Sequence, residues 1–235
     1  MTHYQALACD YDGTLARDGI VDRDVAGALQ RCRDSGRRLL LVTGRELRDL
    51  QAIFAHLALF DYVIAENGAL LYCPATGEER LLAAPPPDAF IQALRTRGVD
   101  PLALGHAIVA TRSPFETVVL QTIRDLGLEL QVVFNKGSVM VLPSGVNKAT
   151  GLAEALRRLR IPPQKAVAVG DAENDHALLD AVGLGVAVAS AVPMLLERAD
   201  FVTTGGEGEG VVELIDRLLE SDLAEINPRK RSAPG

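Results

Sequence analysis

The chain has 235 residues, 48% hydrophobic and 23% charged, which suits a folded core with room for an insertion and no need of disulfide support. Its formal net charge is −7 with no long basic run, which argues against nucleic-acid binding by phosphate neutralisation. The cysteines Cys9, Cys32 and Cys73 show no C-x-x-C spacing, the start lacks a signal-peptide pattern, and no apolar run reaches the roughly eighteen residues of a membrane helix, so a cytoplasmic protein with reduced thiols and no membrane partner is expected.

Apolar runs and helical patterns alternate from the start. Residues 7–9 form a short buried run that stops at Asp10, and the spacing of Val25, Leu29 and Cys32 predicts a helix over 22–35 with Gly36 behind it. A strand at Arg38–Val42 stops at Thr43, a helix over 46–57 places Leu47, Leu50, Ile53 and Phe54 on one face, and a strand at Tyr62–Ala65 stops at Glu66. The Ala84-Pro85-Pro86-Pro87 stretch marks a break. Beyond it the pattern predicts a helix (88–97), a strand (106–111), a helix (115–126) and a hairpin of runs 128–134 and 138–142 turning at Asn135-Lys136-Gly137. A helix at Lys148–Leu159 and strands at 166–169, 184–188 and Phe201–Val202 follow.

Strand runs without polar alternation are covered on both faces, as in parallel sheets. The expected fold is α/β: a doubly wound, mainly parallel, Rossmann-like sheet with an inserted small α+β cap. The boundaries read as a core over 1–84 and 145–223, a cap over 85–144 that selects substrate, and a polar, frayed tail over 224–235.

Two motifs stand where such a sheet places chemistry. Asp10-Tyr11-Asp12-Gly13-Thr14 follows the first strand, and Gly170-Asp171-Ala172-Glu173-Asn174-Asp175 follows the strand at 166–169. Ligands of open α/β sheets bind at these strand ends. If the two ends meet, Asp10, Asp12, Asp171 and Asp175 share one site. Two carboxylates about 4 Å apart repel by about 4 kcal/mol at an effective dielectric near 20, so a cation is needed, and all-oxygen ligands point to Mg²⁺. Thr43-Gly44 offers a hydroxyl and a close backbone approach to a phosphoryl group. Lys148 opens a helix against its macrodipole, which makes sense if it pairs with phosphate and carboxylate. Acids at strand ends also cap helices, Thr-Gly also makes turns, and a lysine also stands solvated on a surface. The combination favours the chemical reading.

Asp10-x-Asp12-Gly13-Thr14, Thr43-Gly44-Arg45, Lys148 and Gly170-Asp171-x-x-Asn174-Asp175, in this order, resemble the four motifs of the haloacid dehalogenase superfamily. Glu66-Asn67-Gly68-Ala69 and the segment from Ala191-Val192-Pro193 to Gly210-Val211 are similar to its Cof-type, type IIB members. The resemblance implies a Mg²⁺-dependent phosphatase that acts on a small phosphorylated metabolite, a sugar phosphate or phosphoglycolate, through an aspartyl phosphate. It implies Asp10 as nucleophile and Asp12 as general acid and base. Thr43 and Lys148 would hold the phosphoryl group, with Gly44 allowing close backbone approach, while Arg45 and Asn67 read either as substrate or cap contacts or as ordinary solvated polar positions. The metal would be bound by the Asp10 carboxylate, the Asp12 backbone carbonyl and Asp171, with Asp175 either a direct ligand or one that orients the others. A phosphomutase of the same superfamily is the alternative, with a receiver-like phospho-aspartate domain behind it. Cys9 and His176 read as structural, His106 as the start of a cap strand, and Arg112, Asn135 and Lys136 as the cap residues to test for substrate contact. No feature of the sequence sets an oligomeric state.

Overall fold

The structure, a computed structural model, describes residues 3–135 and 137–228. The chain opens with β1 (Ala6–Asp10), α1 (Arg23–Asp34), β2 (Arg38–Val42), α2 (Leu47–Ile53), β3 (Tyr62–Ala65), β4 (Leu70–Cys73) and β5 (Glu78–Leu81). Next come α3 (Asp88–Thr96), β6 (Ala103–Leu104), β7 (Val109–Arg112), α4 (Glu116–Asp125), β8 (Leu130–Asn135) and β9 (Ser138–Pro143). It closes with α5 (Lys148–Leu159), β10 (Ala166–Gly170), α6 (His176–Asp180), β11 (Leu184–Ala187), α7 (Pro193–Arg198), β12 (Phe201–Val202) and α8 (Glu207–Ser221).

β1 lies inside an eight-stranded sheet of order β12-β11-β10-β1-β2-β3-β4-β5, parallel except where β4 and β5 join. Side chains alternate across a strand, and here both faces are covered. Leu7, Cys9, Leu39, Leu41, Val167 and Val169 pack under α1 and α8, against Val25, Leu29, Leu214 and Leu218. Ala6, Ala8, Leu40, Val42, Ala166 and Ala168 pack under α5 and α6, against Leu152, Leu156 and Leu178. That double coverage is why the strand runs lack polar alternation. Each fully buried leucine contributes about 1.5–3 kcal/mol relative to exposure. The register matches Ala8 with Leu40 on one side and with Ala168 on the other, so the C-terminal ends of β1, β2 and β10 lie side by side.

β6, β7, β9 and β8 form a second, antiparallel sheet. Its Val109, Val139 and Val141 pack on Phe90 and Leu94 of α3 and Val119 and Ile123 of α4. The alternate residues Ala110, Met140 and Leu142 face the other way, towards Ala69 and Val146. The α/β class with a small antiparallel cap sheet is therefore the observed one. No helix among the described residues is long and apolar enough to cross a membrane.

Several elements depart from their expected bounds. α2 ends at Ile53, because Phe54 leaves the helix at φ −117°, ψ 99° and joins Tyr11 and Phe60 at ring distances of 5.3 and 6.0 Å. Ile53 is consequently 48% exposed, not on the buried face expected for it. The β4–β5 hairpin escaped the pattern reading because β5 is exposed at all four residues and shows no apolar run. Its Pro74-Ala75-Thr76-Gly77 turn, with Gly77 at φ +72°, was the available signal. β7 starts at Val109, three residues later than expected. Beyond α8, Leu223 and Ile226 pack on the core, and residues 229–235 of the expected tail lie outside the described residues.

Candidate active site

Asp10 is the last residue of β1 and is 4% exposed. The chain turns at once: the Tyr11 carbonyl accepts from the Ala16 amide at 2.8 Å, and Gly13 takes φ +79°, a conformation that favours glycine. This turn delivers Thr14, whose hydroxyl donates to Asp171 Oδ1 at 3.1 Å. Thr14 thus ties the first acidic segment to the second, a function that motif position alone did not disclose.

The second segment is equally constrained. Asp175 Oδ2 accepts from the amides of Asp171 and Ala172, both at 3.1 Å. A Cβ on Gly170 would lie 2.6 Å from Asp175 Cγ, so glycine is required for the carboxylate to fold back. Lys148 starts α5 behind a capping box of Asn147 and Thr150 and is 1% exposed. Its ammonium donates to Asp10 Oδ1 at 2.5 Å and to Asp175 Oδ1 at 2.6 Å. Oxygens of Asp10, Asp171 and Asp175 all lie within 4.8 Å of one another.

Burial pushes the Asp10 carboxyl well above the usual carboxylate range; Lys148 opposes that, while Asp175 and Asp171 add to it. Burial works against the charge of Lys148, yet Asp10 and Asp175 hold the ammonium above the ordinary lysine range. Three carboxylates around one ammonium leave negative charge in excess. A divalent cation would balance it, and oxygen-only donors suit a hard ion. The residues present therefore fit a metal site.

Asp12, two residues after Asp10, stands apart from that group. Its carboxylate takes a two-pronged contact from Arg45, Nε to Oδ2 at 2.7 Å and Nη2 to Oδ1 at 2.6 Å. The Arg45 guanidinium also lies 5.6 Å from the Tyr11 ring centre. Thr43 is fully buried at the end of β2, and its hydroxyl oxygen accepts from the Arg45 amide at 3.1 Å. A Cβ on Gly44 would meet the Asn67 amide at 3.2 Å. Asn67, 1% exposed, donates through Nδ2 to Met140 Sδ at 3.0 Å and accepts from Asn174 Nδ2 at 2.9 Å.

A cleft of about 260 Å³ separates the two sheets. Asp10, Asp12, Gly44 and Arg45 line one side, and Ile108, Ala110, Asn135, Ser138 and Met140 line the other. Asn135 Oδ1 is buried there without a donor from the protein. Arg112 is exposed at the end of β7, His106 lies against Glu66, and Lys136 is outside the described residues. Burial pushes the Cys9 thiol well up and that of Cys32 to about 11, consistent with inert core thiols. His176 stands in α6 and belongs to no described group of three metal-ligating side chains.

Residues 7–94 and 120–215 match the family model described as haloacid dehalogenase-like hydrolase. The phosphoglycolate phosphatase of Methanothermobacter thermautotrophicus is 29% identical over 224 residues, which cover 92% of this chain and 99% of the relative. That of Natronomonas pharaonis is 32% identical over 227 residues, covering 92% and 98%. Among solved structures, a haloacid dehalogenase-like hydrolase from Bacteroides thetaiotaomicron aligns with a TM-score of 0.78 at 20% identity, covering 92% of this chain and 99% of its own. A subclass IIB sugar phosphatase aligns with a TM-score of 0.75 at 20% identity, covering 91% and 98%.

Proposed function

Because the chain belongs to the haloacid dehalogenase-like hydrolases and is a phosphatase, we propose that it hydrolyses a small phosphorylated metabolite with Mg²⁺ through a phosphate bound covalently to Asp10. The names of its relatives make phosphoglycolate the first candidate and a sugar phosphate the second. The observation that carries the reading is the buried Lys148 ammonium shared between Asp10 and Asp175, with Asp171 in the same group.

In this reading an Asp10 oxygen attacks phosphorus in line and the bond to the leaving alcohol breaks. Asp12 gives that alcohol oxygen its proton. Asp12 then takes a proton from the water that attacks the aspartyl phosphate, releasing phosphate and restoring the Asp10 carboxylate. Lys148 holds Asp10 in place, and Thr43 with Lys148 meets the phosphoryl oxygens. Asp10, Asp171, Asp175 and the Asp12 carbonyl would hold the Mg²⁺, which supplies positive charge against the phosphoryl oxygens. Arg45 accounts for the position of Asp12. Its guanidinium fork suits phosphate as well as carboxylate, so an arriving phosphoryl group competes for it and frees the acid. Residues 85–144 would select the leaving group, with Asn135 at the cleft wall.

A panel of phosphorylated metabolites assayed with Mg²⁺ and ranked by kcat/KM tests this. Phosphoglycolate or one sugar phosphate should lead, and chelation should stop turnover. Turnover that survives in Asp10→Asn, or in excess chelator, would sink the reading.

A further inference from the structure

Residues 66–68 make a turn of three successive left-handed backbones, with φ of 52° at Glu66, 52° at Asn67 and 104° at Gly68. Side chains disfavour this conformation, and two such residues before a glycine persist only where surrounding contacts fix them. Three sets of contacts do so. A Cβ on Gly68 would lie 2.0 Å from the Asn147 carbonyl oxygen, so the turn meets the start of α5 backbone to backbone, beside Lys148. Asn67 joins Asn174 of the acidic segment to Met140 of the smaller sheet. Glu66, fully buried, reaches the loop that leads into β7.

That last contact is the most specific. Glu66 Oε1 accepts from the amide of His106 at 2.9 Å, and Oε2 accepts from those of Ala107 at 2.7 Å and Ile108 at 3.1 Å. His106 Nδ1 stands 3.2 Å from Oε1, and its Nε2 stands 3.5 Å from Glu79. Gly105 belongs to the same fit, because a Cβ there would come within 2.7 Å of Glu66 Cδ and 2.6 Å of Ile108 Cγ2. A carboxylate accepts on both oxygens, whereas a glutamine would turn an NH₂ group towards one set of amides. The gripped peptides run directly into Ile108 and Ala110, which line the cleft opposite Asp10.

We propose that Glu66 is a positioning residue for the hydrolysis. It clamps residues 105–108 and so sets the face of the smaller sheet at the separation from Asp10 that the leaving group needs. The left-handed turn makes that clamp rigid with Lys148 and Asn174, so cleft width and the acid cluster share one anchor. The kinetic part rests on the phosphatase reading above.

The test compares Glu66→Gln and Gly105→Ala with the parent protein. Hydrogen exchange at the amides of 106–108 should quicken at least tenfold in Glu66→Gln, with β1 and α5 unchanged. With the best substrate of the panel, kcat/KM should fall about tenfold, mainly through KM. Turnover of acetyl phosphate, with its small leaving group, should stay within twofold. Gly105→Ala crowds the same contact from the loop side and should give the same split, which keeps the test valid if Glu66→Gln folds poorly. Undiminished protection at 106–108, equal losses on both substrates, or a lowered melting temperature with unchanged kinetics would overturn the proposal. The exchange measurement needs no turnover, so a failed phosphatase reading and an absent clamp give separate results.

Discussion

The two walls of the cleft handle polarity in opposite ways. At the edge of the large sheet, Asp10, Asp171, Asp175 and Lys148 are each at most 4% exposed, and every one has a charged or hydroxyl partner. On the smaller sheet the facing residues are Ala110, Met140, Ser138 and Asn135, neutral side chains, with the Asn135 oxygen unpartnered by protein. Buried charges hold only where geometry is overdetermined, and here central parallel strands, Gly13 and Gly170 supply that. The smaller sheet is held through Glu66 and, at Met140, through Asn67, but its other cleft-facing side chains carry no buried charge to be matched, so they are freer to differ in what they accommodate. Reaction and selection would then be divided between the walls.

The largest test of this division is Asp10→Asn. Turnover should fall on the order of 10⁴-fold or more for every phosphate ester, while circular dichroism shows the fold retained. Lys148→Ala should come next, because it leaves Asp10 and Asp175 buried without their ammonium. About 3 kcal/mol of stability should be lost in denaturant titrations of metal-free protein, with part of it regained on adding Mg²⁺. For the parent, stripping the metal should stop turnover, and Mg²⁺ at a hundred times its Kd should restore about 2.7 kcal/mol of stability.

Changes on the other wall should be smaller and selective. Asn135→Ala should lower kcat/KM for the preferred metabolite by roughly tenfold, the scale of one charged or well-placed hydrogen bond, and leave acetyl phosphate turnover unchanged. An equal loss on both substrates would merge the two walls into one functional unit. The smallest effect belongs to a pair remote from the cleft. Burial disfavours charge on Asp222, but Arg37 and the amides of His3 and Tyr4 hold its carboxyl below the usual range. Its contribution is therefore present above the unfolded value near pH 4 and is lost as pH falls through the lower folded value. Asp222→Asn should lower the melting temperature by about 2–4 °C at neutral pH, and the difference should vanish in acid. Turnover at pH 7 should not change.

The amino-acid sequence by itself determined the parallel strands, because burial on both faces writes an unbroken apolar run, and it determined the placing of both acidic motifs, because each follows such a run directly. It also marked Lys148 and Thr43 by position. It did not show β5, whose four residues are all exposed, or the early end of α2, where ring packing drew Phe54 off the helix. Nor did it show that Asp10 and Asp12 would part, one buried against Lys148 and the other turned to Arg45. Thr14 meets Asp171 across 157 residues and Glu66 meets Ala107 across 41. Local pattern fixes which way a backbone turns. Which distant charge a carboxylate meets depends on how the finished layers stack, and only the tertiary structure decides that.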